Sequence, residues 1–352
     1  MSQTFLKTLN DFVSVLPEKQ REVIEKRYGL SGEEPMTLEA IGEERSVTRE
    51  RIRQIEEAAL SDLRKNLDDL SDVIERLKYH LDIFGGIRRE KRLLEETSHS
   101  FSDDPLKMRN EKIMNKLQNH IWFLLDLAPY FNYLLERKNN YAAWHRGEEI
   151  VKKTDRINNF VKKELTKKNK PLELDEYHQL VHKTMKEFFL KKENTLLSYL
   201  DISKEFGFNP FGEFGLMNWS LIRPSSVNTK AYLILAKNHQ PLHFTEISRL
   251  INEAGFDKKE AQATTVHNEL IKNQQFVLIG RGIYALKEWG YEPGTVQDIL
   301  VKILKKIGPK TYRELLEEIK KQRLVKDGTV LINLQDKKLF KKLADGRYSL
   351  TR

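Results

Sequence analysis

The chain has 352 residues, with 61 Lys and Arg against 52 Asp and Glu and no cysteine. Its length exceeds what one hydrophobic core usually organises, so two to four domains are expected, and the missing thiols exclude disulfides and thiolate metal sites. No window approaches the 18 apolar residues of a membrane span, and the opening MSQTFLKTLNDFVSVL is broken by polar and acidic residues where a signal peptide needs an apolar run, so a cytoplasmic protein with no membrane partner is expected.

The formal net charge of +9 is unevenly spread. Residues 1–66 hold 11 basic against 13 acidic side chains, and residues 223–352 hold 24 against 14. A DNA contact in the N-terminal part must therefore rest on placed arginines, whereas the C-terminal part has a general attraction for polyanions. Lysine-rich surfaces also serve solubility alone.

The first legible element lies at residues 35–65. Thr37 can cap a short helix over 38–44, and after a polar turn Thr48 can cap a second helix starting at Arg49. In the second helix Ile52, Ile55 and Ala59 share one face, which leaves Arg49, Glu50, Arg51, Arg53 and Gln54 pointing outward. This is a helix-turn-helix pattern whose outward residues suit a major groove: Arg and Gln grip base edges, Glu accepts from cytosine, and further arginines neutralise phosphates.

The runs LPEKQREVIEKRYGL (16–30) and TLEAIGEERSVTRERIRQIEEAALSDLR (37–64) closely resemble region four of primary-type bacterial sigma factors, the part that reads the promoter's upstream hexamer. The resemblance covers about a fifth of the chain. It implies double-stranded promoter-like DNA and core RNA polymerase as partners, with Arg49, Glu50 and Gln54 reading bases, Arg51 and Arg53 mainly on phosphates, and Thr48 at the start of the helix. The aromatic-rich sigma segments that bind core polymerase and melt DNA have no counterpart here, so a complete initiation factor is not implied.

Beyond this domain (1–66), Leu60, Leu63, Leu67, Leu70, Ile74, Leu77, Leu81 and Phe84 alternate three- and four-residue steps, which predicts one long amphipathic helix up to Gly85-Gly86. Its seam can pair with a second copy of the chain, giving a homodimer through residues 60–84, or with the helices that follow; the period does not choose. The charged stretch 87–104 reads as a helix end and linker, so that 67–104 forms one segment. From Pro105 a helical stripe through Ile113, Leu117, Ile121, Leu124, Ala128, Phe131 and Leu135, thickened by Trp122, Tyr130, Tyr133 and Trp144, starts an all-α middle domain with its linker (105–222). Further helices are expected over 146–167 and 174–206. His178 and His182 sit four apart, a spacing that can hold a metal, but no Glu follows the first His and no third ligand is apparent.

From Ser225 three helices (228–237, one opening near Phe244, and 258–272) precede FVLIGRGIYAL, in which Gly280-Arg281-Gly282 allows a tight turn and Phe276, Leu278, Tyr284 and Leu286 form a strand face. This predicts a winged helix. Together with PLHFTEISRLINEAGF and TTVHNELIKNQQFVLIGRGIYALKEWG, the segment resembles the HARE-type helix-turn-helix domain found at the end of the polymerase delta subunit. Its third helix offers Lys258, Lys259, Thr264, Thr265, His267, Asn268 and Lys272 to DNA, and Arg281 at the hairpin tip can enter a minor groove. Phe276, Gly282, Tyr284 and Leu286 recur 64 residues later as Phe340, Gly346, Tyr348 and Leu350, so a second, diverged winged helix (292–352) follows the first (223–291). Its third-helix place, 329–335, is largely apolar and suits packing or docking.

The expectation is thus a mainly α, multi-domain chain: an N-terminal helix-turn-helix, a helical middle domain, and tandem C-terminal winged helices, with β structure confined to their hairpins. The function expected is a DNA-binding transcription factor, a sigma-like accessory subunit of RNA polymerase. The alternative is a protein-interaction scaffold, or a nucleoid- or restriction-associated DNA-binding adaptor without promoter specificity. No nucleotide-binding glycine loop, nucleophile elbow or persuasive carboxylate pair is found, so no enzymatic activity, cofactor or metal is expected.

Overall fold

Helical periodicity over most of the chain produces a mainly α, multi-domain structure. The computed structural model describes residues 2–102 and 109–351, which divide into two units, Met1–Gly207 and Phe208–Arg352.

The first unit contains α1 (Ser2–Ser14), α2 (Glu18–Tyr28), α3 (Leu38–Glu44), α4 (Arg49–Arg64), a 3-10 turn (Leu67–Leu70), α5 (Ser71–Ile83), β1 (Ile87–Arg89), α6 (Glu90–Phe101), α7 (Glu111–Leu127), β2 (Asn132–Leu134), β3 (Ala143–His145), α8 (Glu148–Lys168), α9 (Leu174–Glu187) and α10 (Glu193–Ile202). One hydrophobic cluster runs through most of it, from Phe5 and Leu9 on α1 through Ala59 and Leu63 on α4 and Leu77 on α5 to Leu117 and Phe123 on α7 and Trp144 on β3.

Three expectations for this unit change. The single helix predicted over 60–84 is broken at Lys65–Asn66 and resumes only at Ser71. Asn66, Asp68, Asp69 and Ser71 form this junction, and such side chains compete for the backbone and favour turns over helix interiors. The seam is also consumed within the chain: Leu60, Leu63, Leu70, Ile74, Leu77 and Leu81 are buried in the shared cluster, so the stripe gives no support to a homodimer.

The stretch expected to be a helix end and linker from residue 87 folds as β1 and a full helix α6 instead, because its charges are paired rather than solvated. Arg88 and His80 both meet Glu96, Arg92 meets Asp201 at 2.8 Å, and Glu90 accepts from Trp122 Nε1 at 2.6 Å and from the Tyr133 hydroxyl at 3.1 Å. The rest of that expected linker, 103–104, and the start of the middle domain, 105–108, lie outside the described residues. The middle region is not all α. Pro129 follows the end of α7 and stops the predicted stripe short of Phe131 and Leu135, and a three-stranded antiparallel sheet of order β1-β3-β2 forms with Ile87 opposite His145 and Tyr133 opposite Trp144. The aromatic cluster is core: Tyr28, Trp122 and Trp144 pack with ring centroids 5.5 and 5.9 Å apart.

Short strands β4 (Phe206–Phe208) and β5 (Phe214–Leu216) lie at the division of the chain. The second unit then repeats one pattern. Its first module comprises α11 (Val227–Asn238), β6 (Leu242–His243), α12 (Phe244–Ala254), α13 (Ala263–Lys272), β7 (Phe276–Gly280) and β8 (Ile283–Leu286), with sheet order β6-β8-β7. Its second comprises α14 (Val296–Ile307), α15 (Tyr312–Gln322), α16 (Asp327–Leu334), β9 (Phe340–Lys342) and β10 (Tyr348–Leu350). The 64-residue repeat read from the sequence is a repeat of register: Phe276 pairs with Leu286 and Leu278 with Tyr284, and in the same way Phe340 pairs with Leu350 and Lys342 with Tyr348. Even the third strand has its counterpart, since β6 pairs Leu242 with Tyr284 and an isolated bridge joins Lys310 to Tyr348.

Each module has its own core, and the two are tied together. Leu324 N donates to Ile279 O at 2.7 Å on the outer edge of β7, while Arg323, only 4% exposed, fixes the segment leading into α14 by donating to Glu292 O and to Gly294 O (2.9 Å).

Candidate nucleic-acid interface

The helix-turn-helix is assembled from a small aliphatic core and a tight turn. Val23, Ile41 and Ile52 are buried together, with Met36, Leu38 and Ile55 packed around them. Both predicted caps form: Thr37 Oγ1 accepts from Ala40 N and Thr48 Oγ1 from Arg51 N, each at 3.2 Å. Between α3 and α4, Val47 N donates to Gly42 O at 2.9 Å, and a β carbon on Gly42 would lie 2.7 Å from Val47 O, so no side chain fits there. Ser46 turns the chain through the left-handed region at φ 56°.

Ion pairs lock α2 against this pair of helices. Lys26 meets Glu44 at 2.7 Å, Arg45 meets Glu22, and Arg27 donates to Glu56 Oε1 at 3.2 Å and to Met36 O at 3.1 Å. Glu56 is 9% exposed, and burial pushes its carboxyl above the usual range despite Arg27. Sequence reasoning missed this strut. The signal for it was Glu56 standing four residues after Ile52 on the apolar side of α4, where a carboxylate needs a partner.

Arg49, Glu50, Arg51, Arg53 and Gln54 are all exposed, as the periodicity predicted. They are not equivalent. Arg53 donates to Glu50 through Nε (2.9 Å) and Nη2 (2.7 Å) and also meets Glu57, so its charge is already shared between two carboxylates. That pairing holds the Glu50 carboxyl below its usual range. Arg51 donates to Gln54 Oε1 at 3.2 Å, while the Arg49 side chain has no partner among the described residues.

Comparison with known proteins bears on this segment. Residues 13–65 match the family described as Sigma-70, region 4. The RNA polymerase principal sigma factor HrdD of Streptomyces viridifaciens is 42% identical over 57 residues, which is 16% of this chain and 17% of that protein. The chain therefore matches under a fifth of this curated relative's length. No solved structure matches the chain significantly. Region 4 does not stand free: its α2 and α4 join the shared cluster, Tyr28 donates to Asp126 Oδ2 at 2.5 Å, and Arg64 Nε donates to Leu127 O at 3.0 Å.

The family match ends at residue 65 and lends no support to the HARE-type resemblance of the second unit. Among the residues singled out there, Lys258 and Lys259 precede α13 rather than lie on it. Asp257 accepts from Lys259 N (3.0 Å) and from the buried Lys230 (2.7 Å), and Asn252 brackets Ala261, so the segment is held as a loop until residue 263. Thr264, Thr265, Asn268 and Lys272 are exposed on α13. His267 is half-buried, its ring 4.4 Å from Phe244 and 5.9 Å from Tyr284, so it serves packing before recognition. Arg281 is exposed at the hairpin tip beside Gly282, whose φ of 68° and approach to His243 leave no room for a β carbon. In the second module, α16 turns Leu331 (40% exposed) and Ile332 (68%) to solvent.

His178 and His182 are both exposed on α9, and no metal-ligand group of three is found among the described residues. No described helix is long and apolar enough to cross a membrane.

Proposed function

We propose that the chain is a DNA-binding transcription factor, a sigma-like accessory subunit acting with bacterial RNA polymerase at promoter DNA. One observation carries this reading: within region 4, Arg49, Glu50, Arg51, Arg53 and Gln54 all face solvent from the first two turns of α4, while Ile52, Glu56 and Ala59 hold its other side. In this reading Arg49, Glu50 and Gln54 reach base edges, Arg51 and Arg53 settle on phosphates, and Thr48 fixes the start of the helix. The two modules of the second unit act as tandem winged helices. The first adds a sequence-tolerant contact through Lys258, Lys259, Thr265, Lys272 and Arg281, with His267 bracing the helix that carries two of them.

The test is binding of the full chain to a duplex carrying a promoter-like upstream hexamer and to a scrambled one, at two salt concentrations, with and without core polymerase. A preference for the hexamer and a steep log-linear salt dependence are expected. Equal affinity for both duplexes in every condition rejects the reading.

A second reading, in which the chain is a protein-interaction scaffold, is favoured by α16, where Leu331 and Ile332 stand where a DNA reader would carry basic or amide side chains. The second module is therefore assigned to protein docking within either reading.

A further inference from the structure

Phe189 combines two features that seldom coincide. Its backbone lies in the left-handed region at φ 51°, and its side chain is 90% exposed. The position is the second residue past the end of α9, one beyond the Phe188 cap, where Leu190 N reaches back to Met185 O at 2.9 Å and closes a Schellman turn. Glycine ordinarily fills this place, because a β carbon is strained there. Phenylalanine thus adds backbone strain and leaves a large apolar ring in water, with no compensating burial. The chain's own need for an aromatic at this turn is met next door, where Phe188 packs edge-on against Phe160 at 5.5 Å. Strain kept at an exposed side chain points to a contact outside the chain.

The surroundings say which kind. Lys186, Lys191 and Lys192 are exposed, and their ammonium groups have no partner among the described residues, whereas the neighbouring Lys183 is already paired with Glu164. Glu187 is the one acidic residue between 186 and 192, and Glu193 then opens α10. An exposed aromatic with three unpaired lysines within three residues of it along the chain matches a nucleobase flanked by phosphates: aromatic wedges enter kinked duplex steps, and aromatic platforms stack the bases of single strands.

We propose that Phe189, with Lys186, Lys191 and Lys192, forms a second nucleic-acid contact at the α9–α10 turn, the ring stacking on an accessible base and the lysines neutralising the phosphates beside it. The inference rests on the DNA-binding reading above but uses none of the region 4 residues.

The experiment measures binding of the full chain, at low salt, to an intact duplex, to the same duplex with one unpaired base, and to a single strand. Phe189→Gly should raise the Tm by relieving the left-handed strain, yet weaken binding to the two DNAs with an accessible base by about 10-fold, within what base–aromatic stacking supplies. Phe189→Trp should restore the affinity. Lys191→Ala with Lys192→Ala should weaken all three and lower the salt slope by about two units. A larger loss on the single strand assigns the contact to a melted strand, and a larger loss on the interrupted duplex assigns it to a kinked step. If wild-type protein binds and Phe189→Gly binds all three DNAs within 2-fold of it, the inference is overturned and the region 4 reading stands. If Phe189→Gly instead loses only capture of core polymerase, the contact is with protein and the inference is likewise overturned. Wild-type protein that binds none of these DNAs, with or without core polymerase, removes the DNA-binding reading itself and this inference with it.

Discussion

The helices α4 and α16 each follow a helix and a short connection, each buries an aliphatic stripe, and they show solvent opposite chemistries. Ile52 and Ala59 anchor α4 as Val330 and Leu334 anchor α16. Outward, α4 presents three arginines, a glutamate and a glutamine, and α16 presents Leu331 and Ile332. The buried faces are interchangeable in kind, so they specify only that a helix sits there. What it can bind is set by the outward residues. The two also differ in footing. The second half of α4 enters a cluster reaching to α7 and β3, whereas α16 stands on the small core of its own module, from Ile299 to Phe340.

Acid gives the largest expected effect, because it attacks the footing of α4. His120 on α7 is fully buried, donates through Nδ1 to Lys116 O at 2.7 Å, and is pushed down to about 4 by burial. The unfolded chain takes up this proton near pH 6.5, and the folded chain only near 4. Its contribution is therefore complete above 6.5 and is lost as the pH falls toward 4, roughly 3 kcal/mol in all. His145, also pushed down by burial, acts in the same sense. Urea unfolding followed by tryptophan fluorescence should show this loss between pH 7 and 4.5, and His120→Gln should reduce it. A flat profile would mean that the α7 core does not hold His120 neutral.

The next effect tests the outward faces directly. Arg49→Ala or Gln54→Ala should cost about 1–3 kcal/mol on the preferred hexamer and relax the preference there. The double change Leu331→Ser and Ile332→Ser should leave hexamer affinity unchanged while capture of protein partners falls. An equal loss of hexamer binding in both variants would erase the contrast between the two helices.

A smaller effect is expected at Arg53, because Glu50 and Glu57 already share its charge. Exposed ion pairs of this kind are weak and screened by solvent, and a phosphate must displace them. Arg53→Ala should weaken preferred and random DNA alike and lower the salt slope by about one unit. Glu57→Gln should strengthen binding to both by removing one competitor. If Glu57→Gln weakens binding, Glu57 is orienting Arg53 rather than competing for it.

The sequence made region 4 legible because its signals are local: two threonine caps, a three- and four-residue apolar stripe, and a run of outward polar residues. The C-terminal hairpins were legible for the same reason, and their 64-residue repeat extends to strand register. What stayed hidden depends on residues far apart in the chain. Glu90 is drawn inward by Trp122 and Tyr133, so a charged stretch became structure. Nothing between residues 87 and 89 announces a strand until Ala143, Trp144 and His145 lie beside it. The start of α13 moved to residue 263 because Asn252, on the preceding helix, binds the loop before it. Of the candidate site, the residue types were readable, but the pairing of Arg53 with Glu50 and Glu57 and the packing of His267 were not.

The smallest expected effect separates the turn of region 4 from the turn of the last hairpin. Ser46 holds φ 56° between α3 and α4, while Gly346 holds φ 84° in the β9–β10 connection. Left-handed backbone strains a serine and not a glycine, but glycine also loses more freedom on folding, so the two terms partly cancel. Ser46 is exposed, and its side chain makes no contact that a glycine would forfeit among the described residues. Ser46→Gly should therefore stabilise the protein by at most about 1 kcal/mol, with hexamer binding unchanged. The reverse change Gly346→Ser should destabilise by a similar amount, since a β carbon there meets nothing within 4 Å and only backbone strain is added. Thermal unfolding of the two variants measures both. A Tm that rises for Ser46→Gly while hexamer preference falls would show that this turn, beyond closing the helix pair, sets the angle at which α4 is presented to DNA.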